Sequence, residues 1–261
     1  YAHALRVLNQ FEDVDFNASG SLYICIDDDK DRRFTGYIDN LGWHSDHIER
    51  RGKDLYYPDA AVVSPEKLCH ALATGADIHL NHKVDNLNTI EADIIVIANG
   101  HHAKDILHDE MPIHPVRGQV SWVKPRASVT NNICFGGYIT PKTAEEFHIL
   151  GASLSPQETR IDLDDEDHEG NLERYNDVHK EKISMRDVIG GWAAIRTSSK
   201  DRFAVVGQLD KKTYISTAHG SHGIISSLMA SEIIMQKLNG QMSPASQAVL
   251  SSLSLERFRK H

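Results

Sequence analysis

The chain is short of cysteine. Three stand far apart, Cys25, Cys69 and Cys134, with no CxxC pair among 261 residues. That excludes a disulfide framework and a thiolate zinc cluster, and leaves reduced, buried thiols as the expectation. Long apolar runs are also missing. Nothing approaches the roughly 18 residues of a membrane span, and the longest run, Ile94 to Ala98, suits a buried strand. No charged-then-apolar leader is visible, so a cytoplasmic protein without a membrane partner is expected. Basic charge is scarce too: 28 Lys and Arg against 37 Asp and Glu give a net charge of −9. Composition therefore lends no support to a nucleic-acid partner held by its phosphates. Two glycine signatures are absent, the GxGxxG turn that meets a pyrophosphate and the GxSxG elbow of serine hydrolases.

Histidine is plentiful, with sixteen residues. The pairs His44 and His47, His79 and His82, and His219 and His222 are each spaced three apart. None joins a cysteine or carboxylate in a known ligand pattern, so no metal is expected.

The chain reads in three stretches. Residues 1 to 11 show helical spacing of Leu5, Leu8 and Phe11, and Ser21 to Ile26 forms a strand candidate. Asp27 to Arg33 is a charged run, read as a solvated loop or helix face. Leu55 to Val63 is extended, with a turn at Pro58-Asp59. Ser64 caps a helix that has Pro65 in its first turn and runs to about Thr74, where Gly75 stops it. Asp77 to Leu80 and Ala92 to Ala98 are strands, the second buried and parallel in character. In the middle, Val116 to Val123, Ile133 to Thr140 and Phe147 to Ser153 suggest an antiparallel sheet. A helix follows from about Glu169 to His179, its acidic approach favouring the helix dipole. The end returns to α/β style. Strands at Gly191 to Arg196, Phe203 to Val206 and Thr213 to Thr217 precede a turn, Ala218 to Gly223, and a helix to Leu238. The expected class is α/β with an α+β domain inserted. Residues 1–54 and 101–190 mainly form a substrate domain, and 55–100 and 191–261 a discontinuous nucleotide domain.

Strand, glycine-rich turn and helix at 213 to 238 form the strongest chemical signal. Glycines let backbone approach a ligand, and a helix start offers unpaired N–H groups. A plain tight turn explains the pattern equally well. The end of the strand at Val96 to Gly100 suits a cofactor wall or an ordinary buried strand. Arg196, at a strand end, suits a bidentate clamp on a substrate carboxylate, although most arginines make surface ion pairs. Tyr138 stands where its hydroxyl could assist, or where its ring merely packs.

Several segments in order resemble one family. Tyr57-Pro58-Asp59-Ala60, Val63-Ser64-Pro65 and Lys67-Leu68-Cys69 come first. Ile97-Ala98-Asn99-Gly100, Val116-Arg117-Gly118-Gln119-Val120 and Gly137-Tyr138-Ile139-Thr140-Pro141 follow. Leu150 to Ser153, Glu169 to Arg174, Arg196, Asp201-Arg202, Val206-Gly207, Gly220 to Gly223 and Leu255 to Phe258 complete the series. Together they resemble the flavin oxidase half of the bifunctional tRNA-modifying proteins of the MnmC type, within the D-amino-acid oxidase and glycine oxidase superfamily.

The resemblance implies an FAD-binding Rossmann-like domain and an antiparallel-sheet substrate domain. The family's first βαβ unit, which bears GxGxxG, is not found in these residues. The family's Gly-Ser-Arg-Gly turn reads Gly-Ser-His-Gly, and its prolines around Asp201-Arg202 are Lys200 and Ala204. Implied roles follow. Arg196 and Tyr138 would hold the substrate carboxylate. Val84, Ala98, Asn99 and Gly100 would line the adenosine side of FAD, and Ala218, His219, Gly220, Ser221, His222 and Gly223 its ring. The implied reaction oxidises the carboxymethylaminomethyl group of a tRNA wobble uridine to aminomethyl, alongside a fused or separate methyltransferase. The alternatives are oxidation of a small amino acid such as glycine or sarcosine, and a truncated, non-catalytic binding module.

Overall fold

The structure, a computed structural model, describes residues 2–11, 13–42, 44–107, 111–243 and 245–258. It opens with helix α1 (Ala2–Leu8), strand β1 (Ser21–Tyr23) and helix α2 (Asp28–Leu41). Strands β2 (Glu49–Arg51) and β3 (Asp54–Tyr57) lead to α3 (Pro65–Leu72) and β4 (Ile95–Ile97). A short α4 (Ala103–Leu107) precedes the long β5 (Ile113–Val123). Strands β6 (Asn132–Cys134), β7 (Tyr138–Ile139), β8 (His148–Gly151) and β9 (Ser155–Pro156) then give way to α5 (Asp165–Val178). The chain ends with β10 (Val188–Ser199), β11 (Val205–Gln208), β12 (Thr213–Thr217), α6 (Gly223–Leu238) and α7 (Gln247–Leu253).

Two sheets organise these elements. The larger runs β10-β5-β8-β7-β6-β1-β3-β2, with β9 also on β5. Its pairs are antiparallel except β1 with β6. Strand β5 alternates buried and half-buried side chains, as a strand covered on one face requires. Helix α5 covers that face. Leu172 and Tyr175 pack on Val123, Ile139 and Leu150, and each such burial is worth roughly 2 kcal/mol. The smaller sheet runs β11-β12-β4, with β12 and β4 parallel. Ala230 and Ile234 of α6 pack against it on Val206 and Tyr214. On its other side α6 meets α1 and α3 through Leu228, Leu8 and Leu68.

Local sequence accounts for the helix starts. Ser64 caps α3 with Pro65 in its first turn. Asp164 caps α5 ahead of Asp165, Glu166 and Asp167, so acid lies at the positive end of the dipole. The charged run at 27–33 is also a helix, because Asp27 accepts the N–H of Lys30 and starts α2.

Some expectations are corrected. Asp77 to Leu80 is not a strand: no strand of the described residues lies beside it, and Ile78 and Leu80 are exposed. A lone strand has no ladder to stabilise it. The expected strand over 133–140 is two strands, β6 and β7, turned at Gly136 with φ 96°. The thiols are not all buried, since Cys69 is exposed on α3 and Cys25 and Cys134 are half-buried. The division placed at residue 190 from sequence passes through β10, which belongs wholly to the larger sheet. No helix among the described residues is long and apolar enough to cross a membrane.

Candidate active site

Parallel strands β4 and β12 end side by side, and their following turns meet. Thr217 donates its hydroxyl to the Gly100 carbonyl at 2.9 Å. Gly100 adopts φ 66° and lies so near Thr197 that an added Cβ would sit 3.0 Å from its hydroxyl. The two segments singled out from sequence, Ala98 to Gly100 and Ala218 to Gly223, are thus tied together at their strand ends by this hydrogen bond. In open α/β sheets ligands bind at the carboxyl ends of parallel strands.

The second turn is held by His219. Its Nε2 is 3.0 Å from Ser216 Oγ and its Nδ1 is 2.9 Å from Ser226 Oγ. Ser226 gives its one hydroxyl proton to the His222 carbonyl at 2.9 Å. His219 Nδ1 must then be the donor to Ser226, and Nε2 the acceptor from Ser216. Burial pushes the His219 pKa down, in keeping with this neutral form. Ala218 and Gly220 both have positive φ, 57° and 56°. Helix α6 starts directly after, and no side chain caps its first N–H groups.

A cavity of about 720 Å³ opens beside this turn. Ser221, His222, Gly223, Ile224 and Ile225 form one wall. Tyr23, Cys134, Gly137, Tyr138 and Thr140 of the larger sheet form the opposite wall, and Phe16, Val62 and Val63 close the apolar side. No carboxylate of the described residues lines it.

Arg196 reaches this region from β10. Its Nη1 donates to Ser221 Oγ at 3.0 Å. The side chain lies across Gly118 of β5, where an added Cβ would come within 2.5 Å of Nη2. Among the described residues no carboxylate pairs with Arg196. Tyr138 stands nearby. Burial raises its phenol pKa, against the opposing pull of Arg196, so the hydroxyl stays protonated and able to donate.

A second cavity, of about 740 Å³, flanks β4. Val84, Ala98 and Asn99 line it, with Val96 and His102. The outer edge of β4 pairs with no strand of the described residues.

The fit to a flavin nucleotide is good at two places. An uncapped helix start and a positive-φ turn face the first cavity, as an electron-rich ring requires. The second cavity has an apolar wall and the Asn99 amide for a nucleoside. The 261 residues contain no glycine turn for the pyrophosphate between them.

Of the residues singled out from sequence, Tyr138, Ser221, His222 and Gly223 line one cavity and Val84, Ala98 and Asn99 the other, while Arg196 touches the first only through Ser221, and Ala218, His219, Gly220 and Gly100 line neither. Sequence reading misses Gly118, whose lack of a side chain makes room for Arg196. It also misses Tyr23, Cys134 and Lys30 as cavity residues. Lys30 was hidden in a charged run, although its i, i+4 spacing to the buried Phe34 marks a helix with one face turned inward.

The family profile described as FAD dependent oxidoreductase, DAO, matches residues 1–237. The tRNA 5-methylaminomethyl-2-thiouridine biosynthesis bifunctional protein MnmC of Idiomarina loihiensis is 28% identical over 228 residues, covering 78% of this chain and 38% of that protein. The protein of that name from Nitrosospira multiformis is 24% identical over 306 residues, covering 97% and 49%. The chain thus spans less than half the length of these two relatives. Glycine oxidase of Geobacillus kaustophilus has a similar fold, with a TM-score of 0.80 at 18% identity, over 99% of this chain and 80% of that one. Glycine oxidase of Bacillus cereus aligns with a TM-score of 0.76 at 21% identity, over 93% and 80%. The chain belongs to the DAO family of FAD-dependent oxidoreductases.

Proposed function

We propose that the chain is the flavin oxidase unit of a tRNA-modifying protein and oxidises a secondary amine. Its substrate is the carboxymethylaminomethyl group on a wobble uridine. Bound FAD would accept a hydride from the C–H bond next to the amine nitrogen. Water then splits the resulting imine to give glyoxylate and the aminomethyl product.

The carrying observation is Arg196, whose guanidinium pairs with no carboxylate of the described residues and donates to Ser221 in the wall of the cavity of about 720 Å³ that Tyr138 also lines. Arg196 binds the substrate carboxylate through two N–H groups, and Tyr138 donates to the same group. The 218–223 turn supplies backbone donors, held by the locked His219. No carboxylate of the described residues lines the cavity, which is in keeping with an amine bound in its neutral form. The cavity lies in the range that suits a drug-sized ligand, and the flavin ring would take part of it and the substrate the rest. The MnmC relatives support the RNA substrate and a methyltransferase half elsewhere in the full protein. Charge on the chain as a whole does not help RNA binding.

A second reading is oxidation of a free amino acid. It is favoured by the Arg196 and Tyr138 pair, which would recognise the carboxylate of any amino acid. The two separate in one experiment. Flavin-loaded protein is mixed without oxygen with tRNA carrying the modified uridine, and separately with glycine and sarcosine. Bleaching of the flavin band with the tRNA, and release of glyoxylate, supports the first. Bleaching with the amino acids alone supports the second.

A further inference from the structure

We infer that Lys30 is a second anion-binding group of the cavity and takes a backbone phosphate of the RNA beside the reacting amine. This rests on the RNA reading above. Lys30 lies in the first turn of α2, and its side chain lines the same cavity as Tyr23, Cys134 and Tyr138.

Four carboxylates flank it in sequence, yet none holds its ammonium. Asp27 accepts the Lys30 backbone N–H at 2.6 Å. Asp29 pairs with Arg32, and Asp31 with Arg50. Asp28 stays exposed at the helix start, where the dipole favours it. The ammonium instead sits 5.8 Å from the centre of the Phe34 ring. No carboxylate among the described residues forms an ion pair with it. Lys30 is half-buried at the cavity wall, and an anion there would give its ammonium the charged partner that the described residues do not supply.

The two unpaired cations differ in kind. The planar fork of Arg196 matches a carboxylate in two places, whereas the compact ammonium of Lys30 acts as a point charge and suits a phosphate. They divide an RNA substrate, with Arg196 on the carboxymethyl end and Lys30 on the strand. A free amino acid has one anionic group and leaves Lys30 idle. On a chain of net charge −9, this local cation governs where the strand approaches.

The test compares flavin-loaded wild type, Lys30→Ala, Lys30→Glu and Lys30→Arg. Each receives the modified tRNA and the free modified nucleoside, which keeps the amine and carboxylate but has no phosphate. Flavin bleaching gives kcat/KM for both. The ratio of tRNA to nucleoside should fall roughly tenfold in Lys30→Glu through KM, and Lys30→Arg should restore most of it. The slope of log kcat/KM against log salt should flatten by about one. Equal losses on both substrates, or an unchanged ratio, overturn the inference and leave the RNA reading standing. If wild type bleaches with glycine and with neither RNA nor nucleoside, the RNA reading itself has failed and Lys30 with it.

Discussion

Arg257 grips Asp201 with two hydrogen bonds, Nε to Oδ2 at 2.7 Å and Nη2 to Oδ1 at 3.1 Å. The residues are 56 positions apart, in two short segments that each resembled the family from sequence. The contact fastens the turn Leu255–Phe258 to the loop between β10 and β11. Arg257 also donates to the Phe203 carbonyl at 2.9 Å.

That pair makes stability acid-sensitive. Arg257, then Ser199 and the Phe203 N–H, hold the Asp201 carboxyl down to about 2 from the ordinary 3.8, against burial that acts the other way. A depressed carboxyl stabilises the fold fully above its unfolded value and loses that effect as pH falls towards its folded value. Asp201→Asn should therefore melt roughly 2–4 °C below wild type at pH 7. The gap should close between pH 4 and pH 2. A gap that persists at the lowest pH at which the protein still melts cooperatively would contradict this account.

The second prediction concerns substrate recognition. Arg196→Gln removes the charge and one prong of the fork, and should lower kcat/KM about 100-fold. Arg196→Lys should recover only part, because an ammonium cannot make the parallel pair. An amine of equal size without a carboxylate should be oxidised at the same rate by all three proteins. Should that amine also lose its rate in the variants, Arg196 acts on something other than the carboxylate.

Gly118 gives a third prediction. An alanine Cβ there would stand 2.5 Å from Arg196 Nη2 and 3.1 Å from the Ser153 carbonyl. The guanidinium is the movable neighbour, so it shifts while the strand stays. Gly118→Ala should remain folded but raise KM by about tenfold, since small misplacements of a binding group cost that order or more. Unchanged KM in a folded variant would show that Arg196 is held somewhere other than over Gly118.

Arg117, beside it, plays a different part. Its guanidinium is buried, pairs with Asp167 and donates to Gln119 Oε1 and the Asp162 carbonyl. It docks the start of α5 onto β5. Breaking such a buried pair from one side costs about 3–5 kcal/mol. Asp167→Asn should thus lower the denaturation midpoint strongly while leaving KM where it was. A shift in KM with stability intact would move Arg117 from the framework into the site.

These neighbours show what sequence can convey. Runs of strand-forming residues between polar turns placed β5, β10 and β12, although among them only β5 shows the alternating burial of a half-covered strand. Capping chemistry placed α3. The run at Asp77 to Leu80 misled because β-propensity is realised only where a partner strand exists. Arg196 was visible as a cation, but not at a strand end as expected, since β10 continues past it to Ser199. The division of labour between Gly118 and Arg117 was not visible, because it depends on which residues of β5 point towards α5 and which share the other face of the sheet with Arg196 of β10. Lys30 was obscured for a similar reason: whether a charge in an acidic run is free depends on where Arg32 and Arg50 go.

The last prediction tests the turn that faces the cofactor. The hydroxyl of Ser226 is spent on the His222 carbonyl, so His219 must carry its proton on Nδ1 and accept at Nε2. Nitrogen NMR of labelled protein should show one His219 ring nitrogen unprotonated at pH 7, and it should be Nε2. Burial depresses the His219 pKa below its ordinary 6.5. The unfolded chain then takes up the proton first, so the stabilisation is complete above about pH 6.5 and declines as pH falls towards the folded value. Protonation at Nε2 would force the Ser216 hydroxyl to turn and loosen the 218–223 segment. Flavin affinity should weaken over the same acidic range in wild type and lose that dependence in His219→Gln, whose amide does not titrate. A proton found on Nε2 at neutral pH would reverse the assignment and leave the turn braced by Ser226 as donor.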